Sequence, residues 1–401
     1  MKPSRRRPGR AELVLAVVSL LVFCAGAEGI TRLVDLRPAG GTAIANPPWL
    51  GGRWLLRRDY RKEMADAGIL ARYYDLYEWD RYLFYRLRPN VNLELLDVMA
   101  PPELRERTRW SVHTSARGFR GADFEDRPPP GVVRVAVLGD SSTFGWGVES
   151  FQAYPDRLRS ALAERWHVPS ERVEVLNLGV PGYSSFQGKV LLERVGLHLA
   201  PDVVVWSYLA NDGQATGSDD AATYAQRIGP MGAVLAVLHE SRAYETLESW
   251  IAVARARLRP PPEPDAHDPS QRNVRDYREA RHDVREAVDA ARAAGVPIVL
   301  LAECVRGVPA AVLRGVSTVT NVPFVDGTAL LDDAIPRIAE APRFAPDRKR
   351  LAAHWGEGAL RAHPYWLAFL PDGCHPNPLG HQLVADALAD AVVRALPEPP
   401  R

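Results

Sequence analysis

Three observations predict an α/β domain. After Gly131, short apolar runs rich in β-branched residues alternate with stretches of helical spacing. The runs are almost continuously apolar, as parallel strands covered on both faces must be. The composition, 46% hydrophobic and 25% charged over 401 residues, belongs to a globular chain able to bury a full core, so a disordered chain and a disulfide mini-protein are both excluded.

The first element is an N-terminal apolar helix. Lys2, Arg5, Arg6, Arg7 and Arg10 precede an uncharged run from Leu13 to Ala27 (LVLAVVSLLVFCAGA). A basic segment before an apolar run keeps its own end on the cytoplasmic side and exports the chain beyond the run. Ile30, Leu33 and Val34 extend the helix into the interface, and Glu28 with Arg32 forms an i,i+4 pair at the boundary. Residues 1–34 therefore read as a basic n-region and single-pass membrane anchor, the alternative being a signal peptide cleaved near Ala27, where Ala25-Gly26-Ala27 supplies small residues. Phe23 before Cys24 excludes a lipoprotein site. The basic cluster also accounts for the net charge of +1; without it 45 basic residues face 49 acidic ones. A mildly acidic body excludes nucleic acid as the partner.

Residues 35–130 read as an irregular connecting or accessory region, broken at Pro47-Pro48, Gly51-Gly52, Pro89 and Pro101-Pro102. Arg72 to Arg88 interleaves aromatics with both signs of charge, an amphipathic packing segment or a membrane-proximal stalk. Pro128-Pro129-Pro130 closes the region, since three prolines continue neither helix nor sheet.

Residues 131–398 form the α/β domain. Strands are expected at Val132 to Leu138, Val173 to Leu178, Val203 to Tyr208, Pro297 to Leu301 and Val322 to Val325. Helices are expected at Ala153 to Trp166, Ser184 to Leu199, Val274 to Ala294 and Pro376 to Leu396. Residues 213–272 interrupt the order as an insertion, a helical cover ending in a proline-rich loop after Arg259. Ligands of such a domain bind beyond the carboxyl ends of the strands.

The unusual residues collect at those ends. The first strand runs into Gly139 to Gly145 (GDSSTFG), the second into Asn177 to Gly182 (NLGVPG), the third into Ala210-Asn211-Asp212, and Asp372 to Pro376 (DGCHP) precedes the last helix. In this order they resemble the four blocks of the SGNH hydrolase superfamily, the GDSL esterases and lipases, over roughly Val132 to Ala395. Gly118-Phe119-Arg120-Gly121 after an apolar helix further resembles membrane-anchored bacterial members. The resemblance implies a three-layer α/β/α sandwich with a five-stranded parallel, flavodoxin-like sheet.

It also implies a Ser-His-Asp triad of Ser141, His375 and Asp372, with an oxyanion hole from the backbone N–H groups of Ser141 and Gly182 and the side-chain amide of Asn211. The chemistry agrees: a serine hydroxyl needs a base, the base needs an orienting carboxylate, and the developing oxyanion needs fixed donors. Ser142, the competing nucleophile, reads as a turn hydroxyl. Asp140 and Asp212 read as loop supports, and His354 and His381 as packing or surface residues. Phe144, Trp146, Tyr183, Tyr365 and Trp366 are pocket candidates or simply core. The asparagine block departs from the family at Leu209, where glycine is usual, which puts loop shape in question.

Neither metal nor cofactor is expected, because no CxxC or HExxH pattern occurs. Whether Cys304 and Cys374 pair is open. The leading function is hydrolysis of carboxylic esters, on a small molecule or a glycan-linked acyl group. The alternatives are an O-acyltransferase or deacetylase acting on cell-envelope polysaccharide, and an inactive membrane-tethered glycan-binding protein.

Overall fold

The structure, a computed structural model, describes residues 9–36, 76–96, 100–101, 103–213, 219–258 and 275–397. The basic residues 2–7, the Pro-Pro and Gly-Gly breaks at 47–52 and the proline-rich stretch from 259 lie outside them. A long N-terminal helix, α1 (Arg10–Leu33), comes first. Two antiparallel hairpins come next, β1 (Tyr77–Asp80) with β2 (Phe84–Leu87), and β3 (Asn92–Leu95) with β4 (Trp110–His113).

The α/β domain then runs β5 (Val133–Gly139), α2 (Ser141–Phe144), α3 (Tyr154–Trp166), β6 (Val173–Asn177), α4 (Ser185–Arg194) and β7 (Val203–Ser207). The insertion supplies α5 (Asp220–Ile228), α6 (Pro230–His239) and α7 (Arg242–Leu258). After it come α8 (Tyr277–Ala293), β8 (Ile298–Ala302), α9 (Val308–Thr320), β9 (Phe324–Asp326), α10 (Gly327–Glu340), α11 (Ala345–Trp355), α12 (Glu357–Ala362) and α13 (Pro378–Ala395). The five strands are parallel in the order β6-β5-β7-β8-β9, the flavodoxin-like arrangement.

Alternation along each strand explains both the layers and the apolar runs. Ala136 and Leu138 of β5, Val204 and Trp206 of β7 and Leu300 of β8 pack on one side with α4, α8 and α9. Their neighbours Val135, Val137, Val203, Val205, Val299 and Leu301 pack on the other side with α3, α10 and α13. Since successive side chains point to opposite faces and both faces are covered, the strands read as nearly continuous apolar runs; a buried exception, Arg134 of β5, is held by Glu174 at 2.6 Å and the carbonyl of Leu199 at 2.7 Å.

The five strands fall where the sequence expects them, within a residue or two at each end. Helices α9 to α12 are additional. Pro309 and Gly315 in α9 and Pro336 in α10 blur the pattern, although Pro309 stands in the first turn, where its missing N–H costs nothing.

The hairpins are the second departure, because four-residue strands built from aromatics and charges carry too little alternation to read. Asp80 closes the first by accepting bonds from the N–H groups of Tyr82 and Leu83, both at 2.7 Å. Tyr77, Tyr85, Leu87 and Val112 are fully buried in the same core cluster as the sheet. The described part of the aromatic segment is therefore a packing element rather than a stalk.

Candidate active site

The flavodoxin-like order creates a crevice where the chain reverses direction, outside the carboxyl ends of β5 and β7. The serine block leaves β5 and the asparagine block leaves β7 at that point. Ser141 is the first residue of α2, and Asp140 caps the helix by accepting from Ser142 N at 3.0 Å. Gly179 is required close by, because a Cβ there would stand 2.4 Å from Phe144 N.

His375 and Asp372 arrive from the loop before α13. Ser141 Oγ is 2.8 Å from His375 Nε2, and His375 Nδ1 pairs with Asp372 Oδ2. The other oxygen of Asp372 accepts from the N–H groups of Cys374 and His375 at 2.9 and 3.0 Å. Burial opposes charge on Asp372, yet His375 and these two amides hold its carboxyl below the usual range. Ser142 is buried, so of the two serines it is Ser141 that meets the histidine.

Gly182 lies in a turn at φ +84°, where only glycine is unstrained; the backbone itself requires it, whatever a side chain would do to a substrate. Among the described residues, neither the Ser141 nor the Gly182 N–H donates to a protein acceptor. The Asn211 amide donates to Tyr183 O at 3.0 Å and to Asp140 Oδ2 at 3.3 Å. Leu209 occupies the glycine position of the family pattern and keeps a left-handed backbone, φ +103°, while fully buried. A leucine endures this backbone only at the cost of strain.

Several supports come from residues that sequence reasoning did not connect to the site. Arg120, from the GFRG segment, is buried and donates to the carbonyls of Phe144 (2.7 Å), Gly145, Val148 (2.6 Å) and Ser111 (3.0 Å). It thereby ties β4 to the end of the serine helix, and burial pulls its guanidinium down to about 9. Tyr85 of β2 donates to Pro181 O at 2.9 Å, beside Gly182. Trp146, a pocket candidate from the sequence, lies with its ring centre 6.1 Å from that of His375. Of Arg120 and Tyr85, only Arg120 carried a sequence signal, through the GFRG motif.

The remaining candidates are supports or core. Asp212 accepts from Ser185 N at 3.0 Å and from its hydroxyl at 2.5 Å; burial raises its carboxyl to about 7. Burial likewise raises Asp140 to about 6, and a second buried acid, Glu303 at the end of β8, well above its ordinary value. His381 is buried against Tyr154 and accepts from its N–H at 3.3 Å, and desolvation lowers the ring to about 3. Phe144, Trp146, Tyr183 and Trp366 are buried, and Tyr365 braces the histidine loop by donating to Pro371 O at 3.0 Å. Cys304 and Cys374 form a disulfide that joins the end of β8 to the residue before His375.

No curated protein matches the chain. Among solved structures, the lipase/acylhydrolase of Enterococcus faecalis is similar at 14% identity, with 67% of this chain and 100% of that one covered and a TM-score of 0.37. A psychrotrophic esterase of a Pseudoalteromonas species is similar at 14% identity, covering 66% and 99%, TM-score 0.37. An acetylxylan esterase of Geobacillus stearothermophilus, in a catalytic mutant form, is similar at 16% identity, covering 66% and 94%, TM-score 0.34. Family assignment rests instead on the sequence profile described as GDSL-like Lipase/Acylhydrolase, which matches residues 137–383. That match takes in all four blocks and more than half of the chain, which therefore belongs to the GDSL-like lipase/acylhydrolase family of serine ester hydrolases.

Proposed function

We propose that the chain cleaves carboxylic esters through a covalent acyl-enzyme on Ser141. The observation that carries this is the continuous chain of bonds from Ser141 Oγ through His375 to Asp372. As Ser141 Oγ attacks the ester carbonyl, its proton passes to His375 Nε2, and Asp372 holds the ring by Nδ1–H and stabilises the imidazolium. The carbonyl oxygen becomes negative and takes bonds from the Ser141 and Gly182 N–H groups, both free of protein acceptors among the described residues. Asn211 is the third donor, the oxyanion competing for the amide hydrogen that otherwise makes the longer bond to Asp140. His375 then gives its proton to the leaving alcohol, and water, activated by the same ring, attacks the acyl carbon and regenerates Ser141.

Residues 1–34 act as a single-pass anchor with the N-terminus cytoplasmic, residues 35–130 as an accessory segment, and residues 131–398 as the exported hydrolase domain. Two observations support that location. Helix α1 is long and apolar enough to cross a membrane, and the Cys304–Cys374 disulfide belongs to an oxidising compartment.

A fluorophosphonate probe tests the reaction. Stoichiometric labelling that disappears in Ser141→Ala is expected; an unlabelled wild-type chain, or a Ser141→Ala chain that still labels, overturns the assignment. Product analysis with a glycan acceptor separates hydrolysis from acyl transfer, since only transfer makes a new glycan ester at the expense of free acid.

A further inference from the structure

Glu28, at the end of the apolar run of α1, does more than pair with Arg32. Its carboxylate accepts from Ser241 Oγ at 2.8 Å, Ala243 N at 2.9 Å and Arg242 N at 3.3 Å, which caps the N-terminus of α7. Arg242 returns the contact by pairing with Asp35 and donating to Leu36 O at 3.1 Å. The α6–α7 junction of the insertion is thus clamped to α1.

Beside that clamp, both insertion helices carry apolar stripes with nothing over them among the described residues. On α6, Met231, Val234 and Leu238 recur at i, i+3 and i+7 and are 66%, 52% and 38% exposed, with Val237 flanking them. On α7, Leu247, Trp250 and Ile251 stand at i, i+3 and i+4 and are exposed as well. Their opposite sides are held to the body: the His239 and Trp79 rings stack at 4.7 Å, and Arg81 donates to the carbonyls of Arg227 and Ile228 just before α6.

We propose that this face of α6 and α7 docks on the bilayer, seated at the boundary between headgroups and acyl chains. The inference rests on α1 being a membrane anchor. From Leu13 to Leu33 a helix rises about 30 Å, the thickness of the hydrocarbon layer. Glu28 then lies about 7 Å inside the outer edge of that layer, five residues below Leu33. A carboxylate at that depth must be neutralised, and its partners are the N-terminal amides of α7. The α6–α7 junction is therefore drawn to the level where amphipathic helices lie in the interface, about 5–10 Å into the boundary. Helix α7 packs on α1, whose own apolar residues are exposed, and Trp250 is the residue type that anchors at such a level. The hydrolase domain is consequently held against the membrane at two places, with the root of the insertion next to Asn211 and Asp212.

The full-length chain, carrying Cys24→Ser and one environment-sensitive fluorophore, tests this in vesicles of phosphatidylcholine with a quarter phosphatidylglycerol. Labels are placed through Val18→Cys, Val237→Cys or Arg361→Cys, and quenching is read with lipids brominated on the acyl chain and with aqueous iodide. Labels at 18 and 237 are expected to be quenched by the lipid and shielded from iodide, and the label at 361 the reverse. A label at 18 that iodide reaches overturns the anchor itself. A label at 18 in lipid with a label at 237 as open to iodide as that at 361 overturns only the docking. A label at 237 shielded from iodide but untouched by brominated lipid, with cross-linking between copies through 237, assigns the face to a second copy and also overturns it. As a second arm, Val234→Asp should lower lipid quenching of a label at Leu247→Cys at least twofold while leaving turnover of soluble p-nitrophenyl acetate unchanged. Unaltered quenching there counts against the docking.

Discussion

Replacing both bridged cysteines, Cys304→Ser with Cys374→Ser, probes how much of the domain's stability is held in a single covalent link. The bridge spans 70 residues, and closing a loop of that length removes entropy from the unfolded chain worth about 4 kcal/mol at room temperature. The histidine loop keeps other ties. Leu370 N donates to His375 O at 2.8 Å, Gly373 N to Leu370 O at 3.0 Å, and Asp372 still accepts from Cys374 N and His375 N. The double variant should therefore remain assembled in the cold and lose stability far more than activity. Urea unfolding of the full-length protein in detergent measures this; with a slope of roughly 3 kcal/mol per molar, the midpoint falls by about 1.3 M. Ester turnover well below the transition should stay within about threefold of wild type, well under 1 kcal/mol in the barrier. An unchanged midpoint would refute the entropic argument. A tenfold loss of turnover at unchanged stability would refute it differently, by making the bridge a positioning device for His375.

From the proposed role of Asn211 as third oxyanion donor, Asn211→Ala should lower kcat by about 10²–10³-fold with a small change in KM; steady-state kinetics on a soluble ester decides it. Arg120→Met removes the guanidinium donor from four carbonyls, three of them in buried bonds, and should cost on the order of 3 kcal/mol in denaturant titrations. Leu209→Gly should be more stable than Leu209→Ala by about 1–2 kcal/mol, the reverse of the usual order, because both lose the buried side chain but only glycine relieves the φ of +103°. His381 has its ring lowered by burial from 6.5 to about 3, so its contribution is complete above pH 6.5 and lost as pH falls towards 3. Asp212, raised from 3.8 to about 7, acts in the opposite sense, losing stability as pH rises through that window. Thermal melts against pH should accordingly tilt towards acid stability in His381→Gln and towards alkaline stability in Asp212→Asn.

Much of the site was legible because its blocks are local. GDSSTFG, NLGVPG and DGCHP each encode a turn at an element end, and a turn needs only neighbours in sequence. Gly182 was legible as a motif position, although its reason is backbone conformation. The status of Leu209 was not: whether a leucine there reshapes the loop or endures a glycine's φ depends on the packing around it. Arg120 was visible only as part of a motif. Its role depends on Phe144 and Val148, more than twenty residues away, which no spacing rule connects.

The sequence by itself determined the apolar N-terminal helix, the five strands and which serine, histidine and carboxylate to examine, because periodicity and turn chemistry are properties of short segments. Only the tertiary structure decided that Ser141 meets His375 across 234 residues of chain, that Cys304 pairs with Cys374, and that two hairpins brace the serine and glycine loops. It alone brought Glu28 to the head of α7. Those contacts join segments whose order along the chain carries no record of their distance in space; the sheet, by fixing where each strand ends, supplies it.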